Sequence, residues 1–474
     1  MVHKKFNTNI KTVYIICMII LILPVITIAQ TAATYISMDE AINRALNKNN
    51  LIKSSEYGIK KATWDKRRAW TQLFPSLTIN SRYMWIDDST FALRDFSRYF
   101  RNNDDQPPMP GFGVDIPQTV FQESYFTSLD ADWQIFNAAV LNGLSIAGRS
   151  KQMAEEQYES TMNGTLFQVI SAYLNVIYYM ETLKWQNEYL ELSRLNYEKA
   201  ERLHEAGRYS KMEALRWKVD YQQQKSLVKN SESVLRSSYI LLKRLINFDM
   251  EKNIQVENNI PDLLMAESSK LKGMPDEDIL DMINLNDDEL VEANAALAAA
   301  QSNKELNKLL YRNTYSAFLP NVSLSYQYAW RENNTLALDD YSPETFMVNL
   351  SFPIFTSFRD VTNTKSEYYA YKQSQEIFND NLKNTRYTLT ETANKIINLK
   401  TQMELSATSV EYNEYNYRIA ENQKEKGLIS NIEFIDAKLN LQNSRLTDIK
   451  NEYDFIAAMV ELYYLSGQLN TLIK

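Results

Sequence analysis

The chain has 474 residues, of which 51 are Lys or Arg and 59 are Asp or Glu, so its formal net charge is −8. This acidic balance argues against a nucleic-acid partner, because phosphate binding requires a basic surface. Only 10 Gly and 11 Pro interrupt the chain, and so few helix breakers favour long, continuous helices.

The N-terminal segment 1–29 has the three-part pattern of a secretory signal peptide. Three lysines precede the apolar run "VYIICMIILILPVITIA", which ends at the small residue Ala29. We expect cleavage before Gln30; an N-terminal membrane anchor is the alternative. No later run reaches 18 apolar residues, so the sequence predicts no helical membrane span after this segment.

Cysteine and histidine are nearly absent from the predicted mature chain. The only cysteine, Cys17, lies in the signal segment, and the only histidine after that segment is His204. A structural disulfide is therefore excluded, and thiol chemistry or a Cys/His metal site is close to excluded. The sequence also lacks a Gly-rich phosphate loop and a nucleophile elbow, so we expect neither an enzyme nor a cofactor. Export without cysteines points to a bacterial envelope.

The first part of the mature chain predicts a helix followed by two strands. The helix runs from about Ser37 to Leu73 and opens with the capping pattern "SMDE". Two alternating stretches follow, at about 76–86 and 124–135, separated by a long polar insert. In both, apolar and polar side chains alternate with a period of two, which is typical of strands with one buried face.

The same pattern returns 245 residues later. The stretch "LFPSLTINSRYMW" at 73–85 is matched by "FLPNVSLSYQYAW" at 318–330, and a second alternating stretch follows it. We expect strands at about 321–331 and 345–355. Each predicted strand has about ten residues, the length that spans a bilayer when tilted.

A long helix is predicted after each strand pair. Residues 138–204 and 357–424 lack Pro, and each would extend about 100 Å at about 1.5 Å per residue. Each run ends near a glycine, Gly207 or Gly427, after which a further helix starts. In the last helix, apolar residues recur as an a/d heptad seam that only Gln442 interrupts, which predicts a coiled-coil surface. The a positions are Ile432, Leu439, Leu446, Tyr453 and Val460, and the d positions are Ile435, Gln442, Ile449, Ile456 and Tyr463.

The chain is therefore a duplicated helix–strand–strand–long helix–helix unit, with a first repeat at 30–247, a polar linker at 248–277 and a second repeat at 278–474.

Four amphipathic strands are too few for a closed barrel, because the smallest known barrels use about eight. An open sheet would leave unpaired edges in lipid, which is prohibitive. Either several chains share one barrel or the strands do not lie in a membrane. Tyr and Trp near the strand ends favour the membrane, where they would form an interfacial girdle.

The order, duplication and spacing of these elements resemble the TolC-like outer-membrane factor (outer membrane efflux protein) family across essentially the whole mature chain. The resemblance rests on the repeated strand start at Pro75 and Pro320 and on the paired turns "EAGRYSKMEAL" and "EKGLISNIEFIDA". It implies a mainly helical homotrimer with a membrane β-barrel contribution. Three chains would each supply four strands to a shared 12-stranded barrel, and their helices would form a long coiled-coil tunnel.

The resemblance also implies a location and partners. The protein would lie in the bacterial outer membrane with a large periplasmic part, in contact with outer-membrane lipid, as a passive conduit for efflux or type I secretion. A periplasmic adaptor (membrane fusion protein) would connect it to an inner-membrane pump of the resistance-nodulation-division (RND) or ABC type. The alternatives are an independent outer-membrane porin and a soluble periplasmic coiled-coil adaptor.

In the family, helix ends close the periplasmic mouth with acidic residues. Glu433 and Asp436 match these gate positions, and their i, i+3 spacing puts them on one helix face. Crowding of like charges there would favour cations and raise the pKa values of the two acids. The alternative is that two acids near a helix N-terminus complement its dipole.

Glu213 has the matching place in the first repeat. In the family this acid often links to a Tyr and an Arg on the neighbouring turn. The two corresponding positions here are Lys424 and Ile429, so a Lys424–Glu213 ion pair could replace part of that link.

The two glycine turns match the helix tips that the adaptor grips in the family, although plain helix C-caps are the alternative. On the polar face of the second predicted strand, Asp130 and Asp132 would face the lumen, either as pore-lining acids or as solvated side chains. The tip residues expected to contact an adaptor are Ala206, Gly207, Arg208, Tyr209 and Ser210 in the first repeat, and Gly427, Leu428, Ile429 and Ser430 in the second.

Overall fold

A computed structural model describes residues 34–94, 120–332 and 344–473, so the predicted signal peptide at 1–29 lies outside the described residues. The duplicated order of elements predicted from the sequence is present. The elements of the first repeat are β1 (Thr34–Ile36), α1 (Met38–Lys48), α2 (Asn50–Thr71), β2 (Ser76–Trp85), α3 (Asp88–Arg94), β3 (Glu123–Phe136), α4 (Ala138–Glu205) and α5 (Lys211–Leu245).

A short connecting region and the second repeat follow. The two repeats share a long helix of similar length, 68 residues in α4 and 67 residues in Arg359–Glu425. The elements are β4 (Ile254–Val256), α6 (Asp262–Gly273), α7 (Asp276–Asp281), α8 (Asp287–Ala293), α9 (Ala295–Asn313), a 3₁₀ turn (Thr314–Phe318), β5 (Asn321–Glu332), β6 (Thr345–Ser351), α10 (Arg359–Glu425), α11 (Asn431–Leu465) and a second 3₁₀ turn (Leu469–Leu472).

The helix predicted from Ser37 to Leu73 is divided in two at Asn49. The Asn49 side chain accepts a hydrogen bond from the Leu51 N–H at 2.8 Å and donates one to the Leu245 carbonyl at 2.8 Å. Its backbone is extended, with φ −64° and ψ 129°. Asn49 therefore caps α2 and ties it to the end of α5, and this capping conformation interrupts the helix.

The linker predicted at 248–277 has regular structure of its own. Its strand β4 pairs in parallel with β1, and its helix α6 buries Leu264 and Leu271 in the main core. Lys400 of α10 donates hydrogen bonds to the Met274 carbonyl and to Asp276, both at 2.6 Å. These contacts fasten the linker across the middle of the helical part.

The last strand is shorter than predicted. β6 ends at Ser351 rather than near residue 355, because Pro353 has no N–H to donate to a strand ladder. Just beyond it, Ser357 and Phe358 have positive φ angles of 52° and 60°, and the chain turns there into α10. The other three long strands agree with their predicted bounds to within one residue.

The four long strands form one antiparallel sheet in the order β2-β3-β5-β6. One face is apolar and accessible in the single chain, most of all on the edge strands: Leu77 and Ile79 of β2 are 71% and 75% exposed, and Leu350 of β6 is 70% exposed. The edges β2 and β6 have no partner strand among the described residues. An exposed apolar face of this size is suited to lipid rather than to water.

The helices form two antiparallel hairpins, α4 with α5 and α10 with α11, which contact each other through α4 and α11. The main core lies where the linker crosses them and includes Val169, Ile177, Leu242, Ile456 and Val460, all fully buried. A smaller apolar cluster lies at the far end of the hairpins. The long helices thus connect the amphipathic sheet at one end to a separate packed tip at the other.

Across the ranges 34–94, 120–332 and 344–473, no helix is both long and apolar enough to cross a membrane.

Candidate gate and helix-tip site

The two hairpin turns have the same backbone structure. Gly207 and Gly427 both adopt φ +71°, a left-handed conformation that favours glycine. Arg208 N donates to the Leu203 carbonyl at 2.8 Å, and Leu428 N donates to the Gln423 carbonyl at 2.9 Å. Both turns are therefore Schellman motifs, in which the positive φ of glycine lets the chain satisfy the last helical carbonyls.

The helices that follow these turns begin with the same capping box. The Ser210 hydroxyl accepts from the Glu213 N–H at 3.2 Å, and the Glu213 carboxylate accepts from the Ser210 N–H at 2.9 Å. Ser430 and Glu433 repeat this arrangement, at 3.2 Å and 2.7 Å. Each box satisfies two N–H groups that a helix start would otherwise leave unpaired.

The structure brings the two tips together at one end of the chain. Of the nine predicted tip residues, seven are exposed, whereas Tyr209 and Ile429 are half-buried against a shared apolar cluster. At the centre of this cluster, Trp217 and Phe434 have ring centroids 6.2 Å apart. The tips are thus more than plain C-caps: a small core fixes their relative position and leaves Leu428, which is 71% exposed, at the surface.

The two acids predicted for the gate are exposed on the same face of α11. Glu433 is the capping-box acid, and the Ser430 backbone N–H and hydroxyl lower its pKa below the ordinary value. Asp436 forms no ion pair or hydrogen bond with any described side chain. Within one chain, Glu433 therefore stabilises the N-terminus of α11, as the helix-dipole alternative expects. The carboxylate of Asp436 is available to a neighbouring chain or to an ion.

The ion pair suggested between Lys424 and Glu213 is not formed within 4 Å in the part of the chain that the structure describes. Instead Glu213 accepts a hydrogen bond from Asn431 Nδ2 at 3.3 Å, and its other oxygen is engaged by Ser210. The Ser210 N–H and hydroxyl lower the pKa of Glu213, and the more distant charge of Lys424 adds to this. Burial lowers the pKa of Lys424, and Glu213 opposes that shift. Asn431, which no local sequence pattern indicates, is the residue that connects the two repeats here.

A buried ion pair lies one step further from the tips. Lys438 is fully buried, and its Nζ is 2.6 Å from Asp220 Oδ2 and 2.8 Å from Ser193 Oγ. Burial lowers the pKa of Lys438, and the Asp220 carboxylate opposes that shift. Lys438 was not predicted, because the heptad seam places the a positions at Ile432 and Leu439. In the structure Ile432 is exposed and Leu439 only half-buried, so the predicted a positions are wrong near the tip, whereas the d positions Ile435 and Gln442 are buried.

Gln442, the one polar residue in the predicted seam, is also paired. Its side-chain amide and that of Gln224 exchange two hydrogen bonds of 3.0 Å, and both residues are buried. The pairs Glu213–Asn431, Asp220–Lys438 and Gln224–Gln442 have the same sequence separation of 218 residues. Together these three pairs, hereafter the polar ladder, join α5 to α11 over their first turns.

The two aspartates predicted to face the lumen are held by neighbouring strands. Asp130 accepts hydrogen bonds from Asn80 of β2 at 2.7 Å and from Gln327 of β5 at 2.6 Å. Asp132 accepts one from Ser325 of β5 at 2.7 Å. They lie on the polar face of the sheet and contribute to strand register as well as to the charge of that face.

No group of three or more His, Cys, Asp or Glu side chains that could hold a metal ion occurs in the described ranges.

An amphipathic, open-edged sheet joined to helical hairpins about 100 Å long defines the protomer of an outer-membrane channel with a periplasmic helical part. The family model for outer membrane efflux proteins matches residues 41–247 and 280–468, which is most of the chain. The chain therefore belongs to the outer membrane efflux protein family. The predicted family, fold class and outer-membrane location are confirmed.

Solved structures agree in fold. The Campylobacter jejuni CmeC outer membrane channel superposes with a TM-score of 0.75 at 13% identity, covering 91% of this chain and 86% of that one. The outer membrane protein VceC of Vibrio cholerae gives 0.71 at 13% identity, with 91% and 96% covered. The open state of the Neisseria gonorrhoeae MtrE outer membrane channel gives 0.72 at 12% identity, with 91% and 89% covered. The comparison with curated protein sequences finds no match.

Proposed function

We propose that this chain is the outer-membrane channel of a tripartite efflux or type I secretion system and acts as a passive conduit. Three copies would close one 12-stranded barrel in the outer membrane, and their helices would form one tunnel through the periplasm. The observation that carries the proposal is a membrane sheet whose two edges, β2 and β6, are both unpaired within the described residues.

The open edges require further copies of the chain. An unpaired backbone N–H or C=O in lipid costs several kcal/mol, so a single four-stranded sheet cannot be the membrane form. Pairing β2 of one copy with β6 of the next satisfies both edges and closes a ring. Two copies would give about eight strands, whose interior is filled by side chains, whereas three copies would leave an open lumen. A conduit therefore favours three copies, and a single-chain porin is disfavoured.

The periplasmic mouth would carry a ring of acids. Three copies of Glu433 and Asp436 would meet where the helices end, with Asp436 free of partners in its own chain. Within one chain, hydrogen bonds from Ser430 lower the pKa of Glu433, which opposes the rise that crowding of like charges in the ring would cause. The ring would therefore attract cations and hinder anions. The polar ladder would hold the two hairpins of each copy together beside this ring.

The tips would bind a periplasmic adaptor. Leu428 and Met212 are 71% and 75% exposed, and apolar side chains at a water-exposed tip favour a protein partner. Beside them a groove of about 120 Å³ is lined by residues of both hairpins, including Lys199, Tyr209 and Glu421. Through the adaptor, an inner-membrane pump of the RND or ABC type would supply the energy.

A cross-linking experiment tests the shared barrel. Because the only native cysteine is in the signal segment, Ile79→Cys in β2 and Val348→Cys in β6 can be introduced together. The two strands are three strand spacings apart within one copy, about 14 Å, so a short thiol cross-linker can join them only between copies. We expect a ladder of products that ends at the trimer.

The matched control places the second cysteine in an interior strand. Ile79→Cys with Leu324→Cys in β5 should give no product, because β5 is already paired on both sides. A ladder that ends at the dimer, or monomers that conduct ions in planar bilayers, would refute the three-copy channel. Single-channel recording of the purified trimer then tests conduction itself.

A further inference from the structure

The end of α2 carries a dense basic cluster that the net charge of the chain conceals. The segment "KKATWDKRR" at 60–68 has five basic residues and one acid, whereas the chain as a whole has a net charge of −8. All five basic residues are exposed. We call this segment the basic cluster.

The basic cluster lies directly below the membrane sheet. Helix α2 ends at Thr71 and β2 begins at Ser76, and the indole N–H of Trp133 in β3 donates to the Leu73 carbonyl at 2.9 Å, which fixes the turn between them. From Lys66 to Thr71 the helix rises about 8 Å, comparable to the depth of a headgroup layer. Since Leu77 and Ile79 are on the lipid-facing side of β2, the part of the cluster from Lys66 to Arg68 is at the level of the lipid headgroups on the periplasmic side. Lys60 lies about 16 Å before the end of the helix, below that layer.

Local acids neutralise only part of this charge. Glu56 lies 2.7 Å from the ammonium group of Lys60. Asp65 is shared by Lys61 at 2.8 Å and Arg68 at 3.1 Å. Lys66 has no acidic side chain within 4 Å in the described part of the chain. The guanidinium of Arg67 lies 4.5 Å from the ring centroid of Trp64, which is itself 65% exposed. This stacking leaves the guanidinium charge accessible.

Aromatic side chains accompany the charges on the same stretch. Trp64, Trp70 and Phe74 are all exposed, and they lead from the cluster up to the start of the lipid-facing strand. Tryptophan prefers the boundary between water and hydrocarbon, where its ring is buried in the apolar region and its N–H stays hydrated. Basic and aromatic side chains in this order fit a membrane surface better than an aqueous one.

The second repeat supplies an internal comparison. At the matching offset of 245 residues, the segment 305–313 reads "ELNKLLYRN", with two basic residues and one acid, and Lys308 is 3.9 Å from Glu305. The helix α9 that contains it packs on both α4 and α10, so the duplicated fold does not require the extra basic residues. Arg312, the counterpart of Arg67, is exposed even though α9 lies between two long helices. Arg67 therefore faces outward in an assembly that repeats this packing.

We propose that Lys66 and Arg67, together with Trp64 and Trp70, form a binding site for the phosphate headgroups of anionic phospholipids in the periplasmic leaflet of the outer membrane. The basic side chains contact the phosphates and the indoles enter the interface beside them. The site orients the chain in the membrane independently of what the channel transports. It depends on the outer-membrane location and not on the proposed efflux role.

Lipid retention by the purified full-length protein tests the site. Native mass spectrometry compares phosphatidylglycerol with phosphatidylcholine of the same acyl chains. We expect a preference for phosphatidylglycerol that decreases as salt is raised. The variant Lys66→Gln/Arg67→Gln should bind phosphatidylglycerol about 25-fold more weakly, since each basic side chain near an anionic surface contributes about a fivefold factor. Its retention of phosphatidylcholine should not change.

The matched control is Lys308→Gln/Arg312→Gln in the second repeat, which should keep the preference of the parent protein. An equal loss in both variants would overturn the proposal, since it would show a general charge effect. Loss of the oligomer in the same spectra, without a change in lipid preference, would assign the cluster to contact between copies. Displacement of the lipid by millimolar inorganic phosphate would show a site for free phosphate and would also overturn it.

Discussion

Replacing Asp220 with Ala should destabilise the periplasmic end of the chain strongly. In the structure, the fully buried Lys438 has two polar partners, Asp220 at 2.6 Å and Ser193 at 2.8 Å. The variant leaves the ammonium group with one neutral partner. Removing one member of a buried ion pair costs about 3–5 kcal/mol, because the remaining charge is neither hydrated nor compensated.

This cost should become smaller as the pH rises. Burial lowers the pKa of Lys438 below its ordinary value of 10.5, and Asp220 opposes that shift. Without Asp220 the pKa falls further, so the folded state holds a neutral amine while the unfolded state still binds the proton. Between the lowered pKa and 10.5, the free energy of unfolding of the variant should therefore increase with pH, by up to about 1.4 kcal/mol per pH unit.

Hydrogen exchange measures this effect locally, which suits a large membrane protein better than a global melting temperature. The amides of the first turns of α11 should exchange faster in Asp220→Ala. The exposed pair Lys229–Glu232, 2.7 Å apart on the same helix α5, provides the control, and Glu232→Ala should cost less than about 1 kcal/mol. The double variant Asp220→Ala/Lys438→Met should recover most of the loss, because it removes both charges.

Equal exchange in Asp220→Ala and Glu232→Ala would show that the Lys438 charge is hydrated or otherwise compensated, contrary to the structure. A double variant as unstable as Asp220→Ala would show that packing, and not charge, accounts for the loss.

Three further predictions concern the tips and one helix. Gly207→Val should lower the free energy of unfolding by about 1–2 kcal/mol, because φ +71° strains any residue with a Cβ. Gly58→Ala should raise it by up to about 1 kcal/mol, because Gly58 lies in a helix with open space around it. Thermal unfolding of the two variants measures both effects. Because the pKa values of Glu213 and Glu433 are lowered from 4.5, their stabilisation is complete above pH 4.5 and is lost as the pH falls through the lowered values. The protection of the tip amides, measured relative to exchange in the unfolded chain, should therefore decrease at those low pH values and stay constant between pH 6 and 8. Glu433→Ala/Asp436→Ala should weaken block of the reconstituted channel by multivalent cations, and unchanged block would refute the gate role.

The sequence predicted the elements well where the signal is local. Strand alternation located β2, β3 and β5 to within one residue, and the absence of Pro located the two long helices. The positive-φ glycine turns and their capping boxes also depend on a few neighbouring residues. Such features are set by backbone geometry and by hydrogen bonds over three or four positions, so they can be inferred without knowing the rest of the fold.

The predictions from sequence were wrong where a side chain binds a residue that is distant in the sequence. The heptad pattern placed Ile432 and Leu439 in the seam, but α11 turns Asn431 and Lys438 inward near the tip, because α5 offers them Glu213 and Asp220. In the same way, the predicted first helix is interrupted at Asn49, because the Asn49 side chain donates a hydrogen bond to a carbonyl at the end of α5. Each of these partners is about 200 residues away in sequence, and no local pattern indicates it.

By itself, the sequence determined a duplicated protomer with membrane-length strands and long helices, because periodicity and glycine turns are properties of short stretches of chain. Only the tertiary structure decided which polar groups meet in the ladder between the repeats, and that the basic cluster of α2 is exposed below the membrane sheet. The physical reason is that burial and charge pairing depend on which helix packs beside which. The packing of whole hairpins sets that arrangement, so the function of a buried lysine or an exposed arginine becomes visible only there.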